Sequence, residues 1–148
     1  MTARIFVPSA LVLVAAVSVA LAAEDVTRSV WEGVYTTEQA ERGKVAYAAE
    51  CVRCHGKALE GLEDASPLKG VDFLTGWNGK SVGRLVDVTR RTMPPETAGT
   101  LSRPMTLDLV AFMLAENGFP AGKTPLDSNA AALRAIMIEA KKPVTPAP

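Results

Sequence analysis

Cys51-Val52-Arg53-Cys54-His55 is the stretch from which the rest of this chain is read. It contains the only two cysteines and the only histidine in 148 residues. Two thiols three positions apart, with an imidazole directly after the second, suit several chemistries. In an exported chain two cysteines are by default a disulfide. A C-x-x-C redox pair expects a βαβ setting. A zinc site needs four ligands of the right type, and this chain has no further Cys or His to complete one.

The reading that uses all three side chains is covalent haem attachment, for which C-x-x-C-H is the recognised signature. Two thiols add across the two haem vinyl groups, and two intervening residues let both sulfurs face one porphyrin edge. The imidazole after Cys54 is then aimed at the iron, where His is a usual proximal ligand. The second axial position calls for Met or His, and no second His exists. Beyond the initiator the methionines are Met93, Met105, Met113 and Met137. Met113 and Met137 fall inside amphipathic patterns, where Met is ordinarily core filling. Met105 precedes a helix start. Met93 stands in Thr92-Met93-Pro94-Pro95, where the prolines stop a helix and force an extended turn that presents a side chain on a stiff loop. Met93 is therefore the expected ligand ahead of Met105, with a five-coordinate iron as the remaining alternative.

Upstream, Arg4 and a nearly unbroken apolar run over residues 5–21 read as an export signal. Ala20-Leu21-Ala22 places small residues where a signal peptidase reads, so cleavage is expected after Ala22 and the destination is the periplasm. An uncleaved anchor is the competing reading. The run is short for a bilayer and no stop-transfer charges follow, so no stable membrane insertion is expected after cleavage. The 16 Lys+Arg balance 16 Asp+Glu. That balance gives no electrostatic footprint for nucleic acid or an anionic membrane.

No internal repeat appears, and no alternating run is long enough to suggest a sheet. Helical periodicity appears four times. Thr36, with Gln39 three residues later, has capping-box spacing, and Ala40, Gly43 and Tyr47 follow on one face as far as Cys51. Ser81 opens a second helix with the stripe Val82, Leu85, Val86 and Thr89, stopped by Pro94-Pro95. Thr106 opens a third with Leu107, Val110, Ala111 and Leu114, stopped by Asn117-Gly118 and Pro120. Leu133, Ile136, Met137 and Ala140 predict a fourth after Ser128, over 128–142. Residues 55–80, rich in glycine and lacking a sustained period, read as a loop. A loop that long needs something besides protein to organise it, and a large apolar cofactor would do so. The chain divides into a signal peptide (1–22), an N-terminal arm (23–35), an all-α domain (36–124) and a C-terminal helical extension with a Pro-rich tail (125–148).

Over about residues 36–124 the sequence resembles class I, single-haem cytochromes c, and more narrowly the haem modules that partner periplasmic quinoprotein dehydrogenases. Arg42-Gly43-Lys44 with Tyr47, Cys51 to Gly56, Pro67-Leu68-Lys69-Gly70, Phe73, Trp77, Met93-Pro94 and Asn117-Gly118-Phe119-Pro120-Ala121-Gly122 carry the resemblance. It implies a cytochrome c-like fold of a few helices wrapped around one covalently bound haem c. In such folds the first and last core helices cross at a glycine and an aromatic, matched here by Gly43, Tyr47 and Phe112. The resemblance also implies that Met93 is the axial ligand and that Phe73 and Trp77 line the haem pocket. Arg84, Arg90 and Arg91 either face the haem propionates or, as is usual for helical charges, solvent.

No acid/base pair, nucleophile–base pair or phosphate loop stands out. The expected role is a periplasmic carrier of single electrons from a dehydrogenase to an oxidase or another cytochrome, not an enzyme in its own right. Two alternatives are a permanent haem subunit of a dehydrogenase complex and a haem sensor or enzyme with an open iron site.

Overall fold

The computed structural model describes residues 27–63 and 65–144. The expected signal peptide at 1–22 and the last residues of the Pro-rich tail lie outside that range. Among the described residues are six α-helices, α1 (Thr37–Glu50), α2 (Val52–His55), α3 (Val71–Trp77), α4 (Val82–Thr92), α5 (Arg103–Glu116) and α6 (Ala130–Arg134). Two two-residue strands, β1 (Arg28–Ser29) and β2 (Ile136–Met137), and two short 3-10 turns, Val30–Glu32 and Pro95–Thr97, complete the regular elements among the described residues. The class is all-α. None of these helices is long and apolar enough to cross a membrane.

The caps explain the helix starts. The Thr36 hydroxyl accepts from the Gln39 N–H at 3.2 Å. The second half of the expected capping box does not form, because the Gln39 side chain has another use. Buried at 3% exposure, it accepts from the Leu126 N–H at 2.8 Å and donates to the Leu126 carbonyl at 3.3 Å. A buried amide needs both partners, and here it ties α1 to the segment after α5. Ser81 caps α4 as expected, accepting from the Arg84 N–H at 3.2 Å. α5 begins earlier than Thr106. Ser102 caps it, accepting from the Met105 N–H at 3.3 Å. Pro104 is tolerated because first-turn N–H groups have no helical partner. Thr106 is fully buried and donates its hydroxyl to the Ser102 carbonyl at 2.9 Å.

α1 and α5 cross at the centre of the domain. Gly43 makes this possible, because a β-carbon there would overlap the Asp108 backbone and stand 2.8 Å from the Phe112 β-carbon. One turn along, the Tyr47 and Phe112 rings meet at 5.3 Å. At the rim of the crossing Arg42 grips Asp108 with two parallel hydrogen bonds of 2.9 and 2.8 Å.

Three expectations change. The loop over 55–80 carries α3. The fourth helix spans only Ala130–Arg134, capped by Asn129 rather than Ser128, with the Asn129 side chain accepting from Ala131 N–H at 2.9 Å and Ala132 N–H at 3.2 Å. Beyond it the chain turns extended and β2 pairs in parallel with β1. The stripe Leu133, Ile136, Met137 and Ala140 fits a helix, but Ile136 and Ile138 are the buried pair at 5% and 0% exposure, the two-residue alternation of a strand. Finally, the segment before α1 is no loose arm. Val30, Val34 and Tyr35 are buried, the Trp31 indole donates to the Glu139 carbonyl at 2.9 Å, and its ring meets Phe119 edge-on at 4.9 Å. The two ends of the domain are thus stitched to one another.

Candidate functional site

α1 ends at Cys51, whose backbone leaves the helical region (φ −120°, ψ −29°) while its N–H still reaches the Tyr47 carbonyl at 2.9 Å. A single helical turn, α2, follows. His55 N–H donates to the Cys51 carbonyl at 2.9 Å, and Gly56 stops the turn at φ 77°, a conformation suited to glycine. The Tyr47 hydroxyl locks that stop by donating to the Gly56 carbonyl at 2.7 Å. This tight reversal brings Cys51, Cys54 and His55 onto the wall of one cavity of about 810 Å³.

Much of the rest of that wall comes from α3, α4, α5 and the segments between them. α4 supplies Leu85, Val88 and Thr89, and Met93, Pro94 and Pro95 follow from the turn after it. α5 contributes Leu109 and Met113, and Leu101 stands just before it. Trp77 closes one side from α3, and Pro67 and Leu68 come from the loop. Met93 is the residue at which α4 stops. Its N–H still donates to the Thr89 carbonyl at 3.0 Å, but its backbone is extended (φ −119°, ψ 147°). Across the mouth, Arg53 of α2 pairs with Glu96 beside the Met93 turn at 2.6 Å. The structure therefore gathers Cys51, Cys54, His55, Met93 and Trp77 around one space. Phe73 stands apart: buried at 2% exposure, it packs behind Trp77 with ring centroids 6.2 Å apart and is not on the cavity wall. It lies one turn before Trp77 on the same side of α3, deeper in the core. Arg84, Arg90 and Arg91 are exposed and also absent from the wall.

Two features of the wall were not legible in the sequence. Met113 lines the cavity as well as Met93, although it is buried within α5 at 3% exposure. Met105, by contrast, is 36% exposed and off the wall. The His55 ring is oriented through Nδ1, which lies 2.9 Å from the Ser66 carbonyl. With Nδ1–H donating there, Nε2 keeps the free lone pair that a metal ligand requires. A backbone carbonyl leaves no mark in a residue pattern, so only the fold reveals it.

The donor set fits haem c. The cavity volume lies within the range of about 300–1,000 Å³ usual for ligand and cofactor pockets, its lining is largely apolar, and both sulfurs are free of a disulfide. Burial pushes the Cys51 thiol up to about 11, with Glu50 and Cys54 adding to the effect. A catalytic C-x-x-C pair lowers a thiol's pKa instead, so the thiol-redox reading loses support. Among the described residues no group of three or more His, Cys, Asp or Glu is arranged to hold a metal ion.

A family model described as cytochrome c oxidase, cbb3-type, subunit III matches residues 38–113. The chain belongs to this cytochrome c family. The match covers α1 through most of α5, the elements that build the cavity wall. No curated protein matches the chain. Among solved structures, the sulfane dehydrogenase SoxCD from Paracoccus pantotrophus is similar at 25% identity and a TM-score of 0.44. That match covers 61% of this chain and 53% of the other, so the chain spans about half the length of that relative. Membership implies haem c binding and an electron-transfer role rather than catalysis.

Proposed function

We propose that this protein is an exported carrier of single electrons in the periplasm, holding one haem c through thioether bonds to Cys51 and Cys54. His55 and Met93 are its axial ligands. One observation carries the reading: the only two thiols and the only imidazole of the chain meet the Met93 turn around a single apolar cavity. When bound, haem c supplies a reversible one-electron couple between ferric and ferrous iron. The chain's own residues set the conditions. Met93 offers a thioether, which favours the reduced iron. Leu85, Leu101, Leu109 and Leu68 exclude water, and a low-dielectric surrounding disfavours the extra charge of the oxidised form. Ser66 holds the His55 tautomer.

Electrons are taken from a dehydrogenase and passed to an oxidase or another cytochrome. A permanent place in an enzyme complex is the second reading, favoured by the family description, which is that of an oxidase subunit. The surface supports a free carrier. The exposed large apolar side chains among the described residues, Val45, Leu62, Val71, Met105 and Val144, belong to five different segments, and single exposed apolar residues are ordinary on soluble proteins. A spectroelectrochemical titration of the purified holoprotein tests the proposal. A single one-electron wave, with no carbon monoxide uptake by the reduced form, is expected. Ready carbon monoxide binding by the native protein would overturn the His/Met pair and favour an open-site sensor or enzyme.

A further inference from the structure

The motif Asn117-Gly118-Phe119-Pro120-Ala121-Gly122 has so far no part in the site. Asn117 lies at the C-terminal cap of α5, where a side chain ordinarily caps its own helix. It does so in part, donating Nδ2–H to the Met113 carbonyl at 2.8 Å. The same amide also reaches across to the loop. Nδ2–H donates to the Leu68 carbonyl at 2.9 Å, and Oδ1 accepts from the Gly70 N–H at 3.0 Å. The loop's other hold near this point is the Leu68 N–H, which donates to the Leu59 carbonyl at 2.9 Å. Lys69 reinforces the seam through Glu116 at 2.8 Å.

That strap matters because of what it carries. Two residues before Leu68 is Ser66, whose carbonyl receives the His55 Nδ1–H. Between the two, Pro67 lines the cavity, as Leu68 does. A two-residue linkage through a proline is short and stiff, so fixing the Leu68 carbonyl fixes the Ser66 carbonyl. Asn117 uses both faces of its amide to do so, and it bonds on the α5 side to Met113, another wall residue.

We infer that Asn117 is a positioning residue for His55, acting through residues 66–70 to hold the carbonyl that sets the imidazole's tautomer and rotation. The inference rests on the haem reading above. It assigns the Asn of the motif to the proximal side of the site rather than to helix capping alone.

The test compares Asn117→Ala with Gln39→Ala in purified holoprotein. Gln39 also ties two segments through a buried amide, but its partner Leu126 is off the cavity wall. Proton NMR of the ferric protein reads the exchange of the His55 Nδ1–H with solvent, and chemical denaturation reads stability. Asn117→Ala is expected to speed that exchange at least tenfold relative to wild type, whereas Gln39→Ala leaves it within twofold despite losing stability. Equal exchange in wild type and Asn117→Ala would overturn the inference and leave Asn117 a helix cap. Should Asn117→Ala fail to accumulate, Asn117→Asp keeps the acceptor for Gly70 but loses both donated bonds, and the same acceleration is expected. Intact mass separates the two claims. A wild-type chain without covalent haem ends the haem reading, while a haem-bearing chain with unmoved Nδ1–H exchange ends only this one.

Discussion

Gly43 lies so close to the backbone of Asp108 that no β-carbon fits between them. The obstacle is a carbonyl in the middle of α5, which no change of rotamer moves aside. Alanine favours a helix over glycine by about 1 kcal/mol, whereas so deep an overlap with backbone stands at the top of the usual overpacking range, about 3 kcal/mol or more. Gly43→Ala is therefore expected to destabilise the protein by about 2 kcal/mol or more despite its better propensity. Urea denaturation of holoprotein checks this, and a neutral or stabilising result would mean that the α1–α5 crossing is looser than described.

Tyr47 gives a prediction with a pH signature. Its hydroxyl is buried and donates to Gly56, so Tyr47→Phe leaves a carbonyl without its donor at a cost of about 1–2 kcal/mol. Burial above all, with Glu60 adding to it, holds the Tyr47 phenol well above its ordinary value of 10.0. Above pH 10 the unfolded chain gives up this proton while the folded chain keeps it. Stability is thus fully present below that pH and falls as the pH rises. Burial raises Tyr35 in the same direction. Denaturation midpoints from pH 8 to 11 should fall less steeply for Tyr47→Phe than for wild type. Parallel curves would remove Tyr47 as a source of alkaline sensitivity.

The strand ending at Met137 leads into Ile138, which is fully buried. Its N–H donates to the Lys80 carbonyl at 2.9 Å and its carbonyl accepts from Gly79 at 2.8 Å, bracing the turn that follows Trp77. Ile138→Ala is expected to cost about 2–5 kcal/mol. The fluorescence of Trp31 and Trp77, which the proposed haem would quench in the native state, should then recover at lower urea than in wild type. An unchanged midpoint would reduce the C-terminal segment to an appendage.

How far the sequence could be read depended on what each residue does. Helix starts at Thr36 and Ser81 were legible because a cap is a local hydrogen bond between neighbours. Thr106 misled because its hydroxyl bonds back to Ser102 within the helix rather than opening it. The strand at Ile136–Met137 was illegible because its pairing partner lies at the other end of the chain, and the apolar residues Leu133, Ile136, Met137 and Ala140 have helical spacing. In the site, the Cys51–His55 turn announces itself through side-chain identity. Ser66 and Gly56 act through carbonyls that every residue possesses, and Phe73 and Trp77, one turn apart on α3, share a face, so spacing alone does not tell which of them reaches the cavity.

Two methionines on one wall make the sixth ligand a question for mutation. Met93 stands on an extended, proline-flanked turn and is only partly buried, whereas Met113 is packed inside α5. Met93→Ala is expected to abolish the weak near-infrared band of an iron–thioether bond, lower the potential and admit carbon monoxide to the reduced protein. Met105→Ala and Met113→Leu should keep all three properties. Loss of the band in Met113→Leu alone would move the ligand to α5.

Covalent attachment at Cys51 and Cys54 is the claim on which the rest depends, and intact mass spectrometry of the purified protein after acidified organic extraction measures it directly. The account predicts the mass of the chain plus one haem, reduced to the bare chain when both cysteines are replaced by alanine. Haem that leaves the wild-type protein in the solvent, or a wild-type mass without it, would contradict the account.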